Sequence, residues 1–282
     1  MTKHCEVCKV EIPENYVNLL CMSCYEGYST TPSIQTPKNI QVSPKNPISD
    51  PEYQENKEVD EIDLVSRSHG RFKGRGDVMP QPQREIYEAV RDYIRNECVT
   101  KNIQYPKFIW KPKVIDIGSG LGVGTNILSH ESDYVLGVDK NEENVRWATQ
   151  MFKREKNNIY WSPQVDFMVS DVTNEEREFM QFDFIVCVEV IEHFKDYIPL
   201  LKFIKKVAKK NAVIFISTPN RNAWKGETRS KKPLNVHHTR EYTNKELEGL
   251  LSQEFTSVEI YNTSLTSKEV DTITPIVAIC IV

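Results

Sequence analysis

Two pairs of cysteines, one run of acids with histidine and one glycine-rich turn are the parts of this 282-residue chain whose residue types and spacing could do chemistry. Cys5-Glu-Val-Cys8 and Cys21-Met-Ser-Cys24 are Cys-x-x-Cys pairs separated by twelve residues. Each pair offers two thiolates from a tight turn, and four thiolates complete a tetrahedral Zn²⁺ site with no position left open for catalysis. A segment this short has no core of its own, so bound metal would supply most of its folding energy. The expectation is a structural, zinc-ribbon-like module over residues 1–28, docking nucleic acid or protein.

The acid run reads Cys187-Val-Glu189-Val-Ile-Glu192-His193-Phe194. On a helix, Glu189, Glu192 and His193 would share one face at i, i+3 and i+4. Two carboxylates and an imidazole converging there suit a divalent ion, and oxygen ligands favour Mg²⁺ or Mn²⁺. Further on, His237 and His238 follow an irregular stretch after Ile216-Ser-Thr-Pro-Asn220-Arg221, and a histidine there offers a fourth ligand. A cation beside a hydroxyl lowers its pKa and orients it. Without metal, His193 or His238 could serve as a general base.

The glycine-rich turn is Val114-Ile-Asp-Ile-Gly118-Ser119-Gly120-Leu-Gly122-Val-Gly124-Thr125. Such a turn, leaving a strand and opening a helix, lets backbone approach a nucleotide-like ligand. Asp139 ends the next strand about twenty residues on, the separation at which an acid reaches a ribose hydroxyl pair. Dinucleotide binding is the natural rival. Asp116, however, sits where a pyrophosphate would be repelled and where a cationic sulfonium with its amino group would be welcome. Capping of helices is the plainer role open to Asp139 and Asp171.

These motifs need a scaffold, and the apolar pattern supplies one. Apolar residues at helical spacing mark a helix near residues 84–96, and others over 123–130, 142–152 and 197–209. Strand patterns cover 113–117, 134–138, 165–169, 182–188 and 212–217. Thr243-Asn-Lys-Glu246 has capping-box spacing ahead of Leu247, Leu250 and Leu251. Two last strands, 257–261 and 276–281, lack a long helix between them, which predicts antiparallel pairing. Strands alternating with helices predict an α/β, doubly wound, mostly parallel sheet over residues 64–282.

Residues 29–63 are rich in Pro, Ser, Asn and charge and read as a flexible linker. The net charge of −4 gives the whole molecule no pull toward nucleic acid or anionic membrane, and no apolar run is long enough to span a bilayer. The N-terminus lacks the apolar stretch of a secretory signal, so a cytoplasmic setting with reduced thiols is expected.

Four motifs stand in order at strand ends: Val114–Gly122, Asp139, Asp171 in Met168-Val-Ser-Asp-Val172, and Phe182-Asp-Phe-Ile-Val-Cys-Val-Glu189. With them, residues 113–282 resemble the class I S-adenosylmethionine-dependent methyltransferases, whose fold is a Rossmann-like seven-stranded sheet. The resemblance implies that Asp116, Gly118, Ser119, Gly120 and Gly122 surround the methionine part, Asp139 the ribose, and Asp171 and Val172 the adenine. It places Glu189 beside cofactor and acceptor. The Glu-x-x-Glu-His run with a downstream histidine resembles two subgroups, the ubiquinone-pathway O-methyltransferases and those acting on the 3′-terminal 2′-hydroxyl of small RNA. In both, that set is thought to hold a metal, implying Glu189, Glu192, His193 and His238 here. Many metal-free members carry a similar run, in which the acid contacts cofactor and the histidine packs.

The runs that such enzymes use to hold a base amino group, or to attack a base through cysteine, are absent after the fourth strand. That favours an oxygen acceptor and leaves Cys187 as core. A first basic patch, Arg67, His69, Arg71, Lys73 and Arg75, reads as a solvated face. An RNA 2′-hydroxyl is supported by the acid–histidine cluster, by the ribbon and by a second basic patch, Arg221, Trp224, Lys225, Arg229, Lys231 and Lys232. A small phenol or sugar is supported by the acidic net charge and by the resemblance to the ubiquinone-pathway enzymes. A non-catalytic binding scaffold is the reading of another class.

Overall fold

The computed structural model describes residues 79–104, 110–153, 163–223, 232–233 and 235–282, with two short N-terminal strands, β1 (Lys3–His4) and β2 (Glu11–Ile12). The chain divides into two compact units, Met1–Ser43 and Pro44–Val282, a division that falls inside the stretch read as linker. In the first unit β1 and β2 pair antiparallel, Lys3 opposite Ile12. Cys5, Cys8, Cys21 and Cys24, all of the 29–63 stretch, and the basic residues from Arg67 to Arg75 lie outside the described residues.

The second unit is built on α1 (Gln81–Gln104), β3 (Lys113–Ile117), α2 (Val123–Leu128), β4 (Tyr134–Asp139), α3 (Glu142–Phe152) and β5 (Gln164–Val169). It continues through β6 (Phe182–Val188), α4 (Ile198–Val207), β7 (Ala208–Thr218), α5 (Asn244–Leu251), β8 (Ser257–Tyr261) and β9 (Ile276–Ile281). The strands form a seven-stranded sheet in the order β5-β4-β3-β6-β7-β9-β8. Strands β3 to β7 are mutually parallel, and β9 inserts antiparallel between β7 and β8, so the sheet is mixed. The helix-free connection between β8 and β9 is the cause, because a parallel crossover needs a helix-length return.

Alternation along each strand divides the core between the two faces. Val114, Phe184, Val186, Phe215, Val277 and Ile279 pack with Ile86, Val90 and Ile94 of α1 and with Leu128 of α2. Ile115, Ile185, Cys187, Ile214, Ile216 and Ala278 pack on the other face with Leu200, Leu201 and Ile204 of α4 and Leu247 and Leu251 of α5. Helices on both faces are what a sheet of nearly continuous apolar strands requires.

Three differences from the sequence pattern stand out. The first helix runs to Gln104, adding buried Cys98 to the apolar stripe. The fourth helix stops at Val207 and β7 begins at once, with Ala208 beside Phe182 ahead of a register shift. The run from Glu189 to His193 is not a helix: Glu189 takes a left-handed φ of 56°, and a single 3₁₀ turn follows over Ile191–His193. Sheet bonding explains the last, because the Glu189 amide still donates to the Ser217 carbonyl at 3.2 Å, holding the chain on the sheet edge before it turns.

Candidate active site

The parallel register sets Ile117 beside Val138 and Asp139 beside Val169, so the loops carrying Gly118, Asp139 and Asp171 leave one edge of the sheet together. Gly118 has φ 73°, and a Cβ there would drive into the Val190 side chain, so the turn needs glycine on two counts. The amides of Gly118 and Ser119 both donate to the Val138 carbonyl, at 2.8 and 3.0 Å, drawing the turn over the end of β4. Gly122 closes it, its amide donating to the Ser119 carbonyl at 2.9 Å. The Ser119 hydroxyl oxygen is buried there without a hydrogen-bond partner.

Asp139 ties the turn to the following loop. Its Oδ2 accepts from the Gly120 amide at 2.9 Å and its Oδ1 from the Asn141 amide at 2.8 Å. Burial nevertheless raises its pKa, because desolvation outweighs those bonds. Asp116 is fully buried, and both its oxygens are engaged inside the fold: Tyr87 donates at 3.0 Å and Thr125 at 2.6 Å. Burial lifts its pKa to about 7, with the two hydroxyls pulling the other way. Asp116 therefore braces the turn and the helix above it. Asp171 is exposed, its Oδ1 accepting from the Thr173 amide and hydroxyl at 3.0 and 2.7 Å, with Val172 half-buried alongside.

The acids and histidines beyond β6 gather more selectively than their spacing suggests. One ligand atom each from Glu192, His193 and His238 lies within 4.8 Å of the others. Glu189 is not in that group, which corrects the one-face expectation. Having left the strand with a positive φ, it turns back on β7, where Ser217 Oγ donates to its Oε1 at 2.9 Å and accepts from its amide at 3.0 Å. Glu192 is wholly buried: Thr218 donates to Oε2 at 3.2 Å, while Oε1 has no hydrogen-bond partner and faces His238 Nε2 at 4.0 Å. The two imidazoles meet edge to face at 5.0 Å.

Burial pushes the Glu192 carboxyl well above its usual range, and the charge of Glu189 adds to the effect. Glu189 is raised as well, chiefly by burial, with Ser217 opposing and Glu241 reinforcing. His193 moves the other way, down to about 4 through burial, so its imidazole is neutral at physiological pH. Two crowded acids beside the neutral His193 ring make a cluster that would welcome positive charge.

Several contributors carry no local signal of their role. Tyr87 lies in the apolar stripe of α1 and reads as core, yet its hydroxyl reaches Asp116 and its ring fills the space a Cβ on Gly124 would take. Glu241, buried, stands 3.2 Å from His238 Nδ1. Arg221 falls by sequence in a basic substrate patch. Instead it is buried, and its Nη2 donates to both oxygens of Glu246 at 2.8 and 2.7 Å. Glu246 also caps α5, its Oε2 accepting from the Thr243 amide, so one acid serves both. Trp224, Lys225, Arg229 and Lys231 lie outside the described residues. Cys187 is fully buried, with a pKa raised by desolvation, as suits a strand residue and not a nucleophile.

A family model described as a methyltransferase domain matches residues 83–255. The chain belongs to this family. Its glycine turn and Asp139 lie together at the sheet edge where α/β folds of this kind take nucleotide-like ligands. Among its relatives, the mitochondrial ubiquinone biosynthesis O-methyltransferase of Dictyostelium discoideum is 31% identical over 173 residues, covering 57% of this chain and 53% of that protein. The ubiquinone biosynthesis O-methyltransferase of Bradyrhizobium diazoefficiens is 31% identical over 137 residues, covering 47% and 51%. The chain thus spans about half the length of the curated relatives it matches.

Solved structures share its fold. The methyltransferase domain of bacterial CtHen1-C superposes with a TM-score of 0.51 at 19% identity, covering 70% of this chain and 98% of that one. The plantazolicin methyltransferase BpumL, in complex with a triazolic desmethylPZN analog and SAH, gives 0.51 at 16% identity, covering 78% and 90%. Among the described residues no helix is long and apolar enough to cross a membrane.

Proposed function

We propose that this methyltransferase methylates a hydroxyl oxygen on a small molecule, with a divalent cation held by Glu192, His193 and His238. The observation that carries the reading is Glu192 Oε1, an oxygen of a wholly buried side chain that has no hydrogen-bond partner and lies 4.0 Å from His238 Nε2. A buried carboxylate oxygen left in this state is costly, and a cation between carboxylate and imidazole would satisfy it. One carboxylate and two imidazoles fit Mn²⁺ as well as Mg²⁺. When bound, such an ion would lower the pKa of the acceptor hydroxyl beside it.

The chain's own residues would do the rest. Asp139 would take the ribose hydroxyls, with Asp171 and Val172 at the adenine and the Gly118–Gly122 backbone against the methionine part. Glu189, anchored to Ser217, would border both donor and acceptor. Methyl transfer is a direct displacement, so holding donor and acceptor in line would supply much of the rate. Residues Cys5, Cys8, Cys21 and Cys24 complete the reading as a structural zinc site in a reducing, cytoplasmic setting. The pairing of Lys3–His4 with Glu11–Ile12, which brackets Cys5 and Cys8, supports it.

The small-molecule acceptor is favoured over RNA because Arg221, one of six residues in the second basic patch, is engaged by Glu246. The test is transfer of labelled methyl from S-adenosylmethionine to a panel of catechols and hydroxylated benzoates, with a short RNA in parallel. Methylation of a phenol that needs Mn²⁺ or Mg²⁺ and is lost in Glu192→Gln is the expected result. Activity untouched by chelator and by Glu192→Gln removes the cation. Methylation of the RNA alone, with binding that weakens steeply in salt, removes the small-molecule acceptor. Calorimetry that detects no heat with S-adenosylhomocysteine would return the chain to a scaffold.

A further inference from the structure

The two nitrogens of His238 have partners of opposite kind. Nδ1 lies 3.2 Å from Glu241 Oε1, and Nε2 lies 2.8 Å from Asn235 Nδ2. The Asn235 amide is oriented from its other side, since its Oδ1 accepts from the His237 backbone N–H at 3.1 Å. Its NH₂ group is therefore the end that faces Nε2. An acceptor at Nδ1 and a donor at Nε2 permit one neutral tautomer, with the proton on Nδ1 and the lone pair on Nε2. That lone pair is on the atom 4.0 Å from the unpartnered Glu192 oxygen.

His193 reaches the same state differently. Its Nδ1 lies 2.9 Å from the His237 carbonyl, which can only accept, so Nε2 again keeps the lone pair. Glu241 is not a loose surface acid. It is 3% exposed and precedes Tyr242, whose carbonyl accepts from the Arg221 amide at 2.9 Å and which bridges to Asn220 beyond the end of β7. The segment is also fastened to Glu192, whose carbonyl accepts from the amides of Thr239 and Arg240 at 2.8 and 3.2 Å.

The geometry points to Glu241 as the positioning residue of this site: its carboxylate holds His238 in the tautomer whose Nε2 lone pair, now accepting from the Asn235 amide, would ligate a cation that takes that amide's place beside Glu192. The inference rests on the cation reading proposed above. A carboxylate on the far nitrogen of a ligating histidine fixes the ring and raises its basicity, and losing it typically costs about 10–100-fold in metal affinity. An acid that only fastened the loop would affect unfolding and leave the tautomer alone.

The experiment records ¹H–¹⁵N spectra of the histidine side chains in the metal-free full chain, then titrates Mn²⁺ followed by electron paramagnetic resonance. Three proteins are compared: wild type, Glu241→Leu and Glu241→Gln. In wild type His238 shows the Nδ1–H tautomer. In Glu241→Leu that tautomer gives way to Nε2–H and Mn²⁺ binding weakens by about 10–100-fold. Glu241→Gln keeps a neutral acceptor, so it retains the tautomer while binding Mn²⁺ several-fold more weakly. A Leu variant that keeps both tautomer and affinity overturns the inference. Should that variant not fold, unchanged Mn²⁺ affinity in the Gln variant overturns it instead. A tautomer change in a protein whose wild type takes up no Mn²⁺ overturns the cation reading and supports the positioning of His238 by Glu241.

Discussion

Replacing Asp116 with asparagine should make the protein less sensitive to alkaline pH. Asp116 is fully buried with its pKa raised from 3.8 to about 7, so between those values the folded chain keeps a proton that the unfolded chain releases. Where the folded state binds more protons, stability falls as pH rises. The loss begins near the unfolded value and levels off above the folded one. The shift of 7 − 3.8, or about 3 pH units, corresponds to about 4 kcal/mol at ~1.4 kcal/mol per unit. Roughly one unit of it is already lost by about pH 5, leaving about 3 kcal/mol between about pH 5 and about pH 8.

Asparagine has nearly the same shape and does not titrate; one of the two hydroxyls, of Tyr87 and Thr125, can keep donating to its Oδ1 while the other turns to accept from its NH₂ group. Guanidinium unfolding of both proteins at about pH 5 and about pH 8 gives two stability differences. The wild-type difference should exceed that of Asp116→Asn by about 3 kcal/mol, the acids at Glu189 and Glu192 cancelling because both proteins contain them. Tyr87→Phe should widen the wild-type difference, since the lost donor favoured the charged carboxylate. Equal differences in wild type and Asp116→Asn would refute the reasoning, because burial would then impose no cost on the carboxylate.

Asp139→Ala removes the acceptor of the Gly120 amide together with the proposed ribose ligand. Calorimetry should show S-adenosylhomocysteine binding weakened by about 10–100-fold, the size of one or two charge-assisted hydrogen bonds, and unchanged affinity would contradict the assignment. Gly118→Ala meets both a left-handed φ of 73° and the Val190 side chain, so thermal unfolding should come several degrees earlier. An unshifted midpoint would show that the turn can relax. Glu246→Gln leaves Arg221 buried without its countercharge and should cost about 3 kcal/mol in denaturant unfolding, whereas a loss under about 1 kcal/mol would mean the pair is well solvated.

Much of the scaffold is legible in the apolar pattern alone. Strands β3, β6, β8 and β9 and helix α3 begin and end where that pattern places them, as does the capping box of Thr243 and Glu246. These features are local, because periodicity, caps and glycine turns act within a few residues. The glycine turn with Asp139 is legible for the same reason, as two strand ends at a set separation. What spacing does not give is which side chains beyond β6 face one another. Helical spacing unites Glu189 with Glu192 and His193, but sheet bonding to Ser217 sets Glu189 apart.

Residue types and their local order therefore determined the alternating α/β fold, the place of the cofactor turn and the presence of carboxylates near histidines. Only the tertiary structure decided which of them meet. The contacts of Tyr87 with Asp116, Thr239 with Glu192, His238 with Glu192 and Arg221 with Glu246 join residues 25 to 47 positions apart. Contacts so distant along the chain are made when helices settle on the sheet and loops cross its edge, and no local pattern encodes that arrangement.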